Sequence, residues 1–110
     1  MIEPLVISDL LRHFADLPFE PFREGVDIHY MKQGEPAVAL LRYAPGARVP
    51  LHRHTGLETV LVLEGAQSDE RGTYPKGSFV LNPEGSSHSV WSKTGCIVLI
   101  QWERPVEILA

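Results

Sequence analysis

From Gly25 onward the chain alternates apolar and polar residues with a period of two, and glycine and proline interrupt the pattern at short intervals. Val26, Ile28 and Tyr30 alternate with Asp27 and His29, which predicts a half-exposed strand. The turn Gln33-Gly34-Glu35-Pro36 leads into a second strand over Ala37–Tyr43, which Pro45-Gly46 breaks. Arg48–His54 is extended, and Glu58–Glu64 reads as a buried strand ending at Gly65, with Ala66–Asp69 continuing beyond it. Glu70-Arg71-Gly72 and Tyr74-Pro75-Lys76-Gly77 are turn signals, and Ser78–Asn82 is a strand. The tight turn Pro83-Glu84-Gly85 delivers a further extended run, Ser86–Ser92, and Cys96–Trp102 is the last long strand. Roughly eight short strands at this spacing predict a small all-β sandwich or barrel.

The N-terminal part follows a different rule. Ser8–Asp16 predicts a short helix with Ser8 as its cap, an apolar stripe at Leu10, Leu11 and Phe14, and Pro18 as its stop. Phe19–Gly25 then reads as an irregular arm whose phenylalanines, Phe19 and Phe22, need apolar cover. With 110 residues the chain is expected to form one domain. A chain of that size buries roughly two-thirds of its unfolded surface, enough for a core without disulfides. The formal charge of -4, with basic residues scattered singly, argues against nucleic acid or a membrane surface as partner. Cys96 is the only cysteine, so neither a disulfide framework nor a cysteine-rich zinc site is available. With no secretory pattern at the N-terminus and no long apolar run, a cytoplasmic protein is expected.

Chemistry concentrates in two places. His52 and His54, two apart on an extended stretch, point to one face, and Glu58 four residues on can fold back over it. His88, swung round by the Pro83-Glu84-Gly85 turn, supplies a third imidazole. Three neutral imidazoles and a carboxylate suit one divalent transition metal per chain, Fe(II), Zn(II), Ni(II) or Mn(II). Two arrangements of Glu58 are open. As a fourth ligand on tetrahedral Zn(II) it closes the site, which is then structural. As a free carboxylate it leaves a three-histidine centre with open positions and serves as a catalytic base.

These residues fall in two patterns that resemble the cupin superfamily. Gly46-x5-His52-x-His54-x3-Glu58-x6-Gly65 matches the first cupin motif at every fixed position. Gly77-x5-Pro83-x-Gly85-x2-His88 matches the second up to its final asparagine, where this chain has Ser92. Leu61-Val-Leu-Glu-Gly65, Ser68-Asp69-Glu70, Asn82-Pro-Glu-Gly-Ser-Ser-His88 and Trp91-Ser92 resemble one branch, the ChrR-like cupins. The resemblance, over Pro18–Trp102, implies a small antiparallel double-stranded β-helix (a cupin or jelly-roll barrel) preceded by a short N-terminal helix. Residues 1–17 would form the helix and arm and residues 18–110 the barrel. It further implies a metal inside the barrel held by His52, His54, Glu58 and His88, a small-molecule ligand beside it, and a homodimer.

Three functions are open, the first two implied by the same resemblance and the third by closed Zn(II) coordination. One is a dioxygenase-like enzyme acting on a small oxygenated, dicarbonyl-type metabolite. Another is a sensing or regulatory module related to ChrR-type transcription regulators. The third is a structural metal protein. In ChrR the cupin follows an N-terminal zinc domain that grips a sigma factor, and with no counterpart expected here, sigma-factor binding is not expected. Cys96, Tyr30, Tyr43 and Trp102 are expected in the core or an interface, and Trp91 is a lesser candidate for lining the pocket. His13, His29 and the turn Asp69-Glu70-Arg71 are expected in solvent, and Arg42 and Arg48 on the surface.

Overall fold

The computed structural model describes residues 2–110. Helix is confined to α1 (Leu10–His13) and a 3-10 turn over Phe14–Asp16. This is shorter than the sequence suggests. Asp9, in the left-handed conformation at φ 55°, holds the N-cap position, and no side chain caps the helix, so the expected Ser8 cap is not made. Leu11 of the expected apolar stripe stays 73% exposed, so no packing supports a longer helix.

Ten strands follow: β1 (Glu20–Arg23), β2 (Val26–Lys32), β3 (Ala37–Tyr43), β4 (Arg48–Arg53), β5 (Glu58–Asp69), β6 (Gly72–Pro75), β7 (Phe79–Asn82), β8 (Ser87–Trp91), β9 (Cys96–Trp102) and β10 (Glu107–Ile108). All the pairings are antiparallel, in the order β1-β2-β3-β9-β5-β8-β4-β10, with β6 and β7 also on β5. The sheet curls into the barrel of a double-stranded β-helix. The strands not expected from the sequence are short: β1, β6 and β10. The arm expected to be irregular is in part β1, an edge strand on β2. Pro21 suits an edge, because it has no N–H to offer a further neighbour.

β5 joins the two halves of the barrel. Glu58–Gly65 pairs with β9, and Ala66–Asp69 pairs with β6. The change of partner falls at Gly65, which has φ +71°, and an added Cβ there would collide with the Gly95 carbonyl oxygen. Only glycine fits both constraints. Alternate residues of the central strands face inward, among them Val26, Ile28, Ala39, Leu41, Val60, Val62, Val98 and Ile100, all at most 5% exposed. Tyr43 and Cys96 join this core, and Tyr30 and Trp102 pack against it. Burial pushes the Cys96 thiol up to about 11, which leaves it a packing residue. No helix among the described residues is long and apolar enough to cross a membrane.

Candidate metal centre

The register of β4 against β8 places His52 directly opposite His88. His54 lies one residue beyond β4, where the Pro83-Glu84-Gly85 turn clasps it. His54 N–H donates to the Ser86 carbonyl and Gly85 N–H donates to the His54 carbonyl, both at 2.8 Å. The three rings meet edge to face with centroids 4.8–5.2 Å apart. One nitrogen from each lies within 4.8 Å of the other two, a cluster that can hold a metal ion.

The opposite edge of every ring is already engaged. His52 Nδ1 is 2.8 Å from the Pro50 carbonyl oxygen, and His54 Nδ1 is 2.9 Å from the Ser86 carbonyl and hydroxyl oxygens. His88 Nδ1 is 3.0 Å from Asp69 Oδ2. Carbonyls and a carboxylate only accept, and the Ser86 hydroxyl spends its proton on the Pro83 carbonyl. Each Nδ1 therefore carries the proton and each Nε2 presents a lone pair. His54 Nε2 and His88 Nε2 are fully buried without a hydrogen-bond partner. A buried polar atom left in that state costs about 1–3 kcal/mol, and a metal ion held by these nitrogens would remove the deficit. The residues present fit a divalent metal.

Glu58 opens β5 opposite Asn82 of β7 and Trp102 of β9. Its Oε2 accepts a hydrogen bond from Asn82 Nδ2 at 2.8 Å and lies 3.1 Å from His54 Nε2. That second contact is close enough for a hydrogen bond but misdirected for one. Glu58 sits beside the histidine cluster, not among its mutually close donors.

The fields on the histidines differ. Burial holds His52 below the ordinary histidine range, against the opposing pull of the Pro50 carbonyl. Burial also acts downward on His54, but the Glu58 carboxylate and the Ser86 carbonyl together outweigh it, and His54 is raised.

Asp69 corrects an expectation. It is 5% exposed, not solvated, and its carboxylate accepts from His88 Nδ1, from the Tyr74 hydroxyl at 2.7 Å and from Arg71 N–H at 2.8 Å. Burial alone would raise its pKa, but these hydrogen bonds hold it below the usual carboxylate range. Glu70 accepts from Ser89 N–H at 2.9 Å, which ties the same turn to β8. Asn82 opens the stretch Asn82–His88 that carries part of the family resemblance, but the sequence gives it no role beside Glu58. Its one local signal is the position directly before the Pro83 turn.

His52, Glu58 and His88 border a cavity of about 320 Å³, whose walls include Val60, Val90, Ile100 and Trp102. Tyr43 and Gln67 add buried polar groups to it, and burial pushes the Tyr43 phenol far up, so it stays neutral. Trp91 is not among the lining residues; the Arg48 guanidinium lies over its ring at 5.4 Å. Arg42 pairs with Asp27 at 2.9 Å and covers Phe19, as expected of a surface arginine. His29 is half-buried, its ring bonded to the Pro18 carbonyl, and His13 is exposed.

Comparison with known proteins agrees with this architecture. The chain is 31% identical over 107 residues to the anti-sigma-E factor ChrR of Cereibacter sphaeroides, covering 94% of this chain and 50% of that protein. The chain thus spans about half the length of that relative. Among solved structures it is similar to SigE in complex with the anti-sigma ChrR from Rhodobacter sphaeroides, with a TM-score of 0.75 at 24% identity over 92% of this chain and 70% of that one. An acetylacetone dioxygenase from Acinetobacter johnsonii superposes with a TM-score of 0.80 at 16% identity, over 100% of this chain and 79% of that one, a likeness of fold. Residues 8–105 match the ChrR cupin-like domain, and the chain belongs to that family.

Proposed function

We propose that the chain binds one divalent transition metal through His52, His54 and His88 and works as a dioxygenase-like enzyme on a small dicarbonyl-type molecule. The observation that carries this reading is the set of three buried imidazoles, each with Nδ1 occupied, beside an apolar cavity that His52 and His88 border. Fe(II), Mn(II) or Ni(II) bound there would supply coordination of two substrate oxygens and access to dioxygen. The chain's own residues do the rest. Apolar walls exclude water, and Glu58, positioned by Asn82, takes the proton from the carbon between the two carbonyls. In this reading Glu58 is the catalytic base and not the fourth ligand. The cavity also weighs against a closed structural Zn(II) site.

The test is oxygen consumption by metal-loaded protein with small β-diketones. Turnover by the Fe(II) form supports the reading. If Fe(II)-, Mn(II)- and Ni(II)-loaded preparations all leave a panel of diketones and related oxygenated compounds unchanged, it fails.

A second reading, a regulatory module, is favoured by the 31% identity to an anti-sigma factor. The similarity to a ChrR structure solved with SigE runs against the expectation that sigma-factor binding is absent. Co-purification with a sigma factor, without turnover, would select this reading. We further propose a homodimer across the outer sheet face, where Phe79 and Leu81 stand 62% and 54% exposed. Sedimentation of the purified protein tests it.

A further inference from the structure

The β1–β2 ladder contains an irregularity with a chemical consequence. Glu20 pairs with Ile28 and Pro21 with Asp27, so regular pairing would set Phe22 opposite Val26. Instead Arg23 stands opposite Val26, with a β-bulge between Pro21 and Arg23. Directly opposed residues share a face of the sheet, and Val26 is 0% exposed, in the core. The bulge therefore turns an arginine toward the interior, one of the ways bulges re-aim side chains beside functional sites.

Arg23 is half-buried and lines the same cavity as His52, Glu58 and His88. Its guanidinium lies over the Phe22 ring at 5.4 Å, and Phe22 packs against Trp102, another wall residue. No carboxylate lies within ion-pair distance of it among the described residues, whereas Arg42 and Arg53 pair with Asp27 and Glu107. A guanidinium partly withdrawn from water without an anion is costly.

We infer that the cavity takes a carboxylate-bearing molecule, with Arg23 pairing the carboxylate while the ligand's other oxygens face the histidine cluster. A single guanidinium matches a singly charged carboxylate through its two-pronged donor geometry. The inference rests on the metal-bound dicarbonyl reading and sharpens its substrate class from neutral diketones to oxo acids.

The probe is succinylacetone, a β-diketone whose carboxylate is two methylenes removed from the chelating oxygens, compared with its methyl ester. Both are titrated calorimetrically into Ni(II)-loaded protein. The acid is expected to bind roughly 10- to 100-fold tighter than the ester, the effect of one charge-assisted pair. Arg23→Gln should abolish the preference, bringing the acid's affinity down to the ester's, with metal content unchanged. Arg23→Lys, which keeps the charge, should restore part of it. Added salt should weaken the acid alone. Equal binding of acid and ester by the wild type, or a preference that survives Arg23→Gln, overturns the inference and leaves the dicarbonyl reading standing. Binding of neither probe overturns both.

Discussion

Asp69 Oδ2 lies 3.0 Å from His88 Nδ1, so one imidazole of the histidine cluster has a carboxylate directly behind it. The same carboxylate is fixed by Tyr74 and by the Arg71 backbone, and both Asp69 and His88 have side chains only 4% exposed. A carboxylate so placed orients the ring, fixes its tautomer and raises its basicity as a ligand. Asp69→Ala is therefore expected to weaken metal binding by roughly 10- to 100-fold without unfolding the barrel. Asp69→Asn, which keeps an acceptor but not the charge, should fall between. Competition against a chromophoric chelator measures both.

Asp69 also predicts how stability responds to acid. Its folded pKa is depressed, so the stabilisation it contributes is present above the ordinary aspartate range and is lost as pH falls through its folded value. Metal-free protein should lose stability across that acidic window, and Asp69→Asn should flatten the loss. Urea midpoints measured along a pH series report it.

Metal affinity should have its own pH dependence. The ligands bind as neutral imidazoles, and His54 is raised while His52 is lowered. On acidification His54 takes up its proton before His52, so affinity should begin to fall from above the ordinary histidine value. Glu58→Gln removes the carboxylate beside His54 and should move that onset to lower pH. It should also leave the metal in place, since three histidines hold it, while turnover is lost. Titrations with metal at several pH values, with assays alongside, check each part.

Much of this site was legible in the sequence because its parts are local. His52 and His54 lie two residues apart on one extended stretch, Glu58 is a turn away, and the Pro83-Glu84-Gly85 signal announces the swing that brings His88 across. Asp69 was not legible. The extended run continues legibly past Gly65 to Asp69, but nothing within Ser68-Asp69-Glu70 says that it ends beside a histidine 19 residues later, so an acidic turn reads as solvated. Arg23 was hidden for a related reason: its inward aim depends on a bulge, and one residue of register reverses which side chain faces the core. β1 and β10 escaped notice because strands of four and two residues carry too little alternation to separate them from loop.

Gly65 predicts a purely structural effect. Gly65→Ala places a Cβ against the Gly95 carbonyl oxygen at a residue with φ +71°. The backbone conformation alone should cost about 1–3 kcal/mol, before the collision is counted. A fall in Tm of roughly 5 °C or more is expected by calorimetry.

If His52, His54 and His88 hold a metal, removing two of the three must release it. Elemental analysis of the purified wild-type protein and of a His54→Ala, His88→Ala double variant, both checked for folding by circular dichroism, reads this out. The wild type should carry close to one equivalent of a divalent transition metal per chain, and the folded double variant almost none. Full metal retention by the double variant would contradict the assignment.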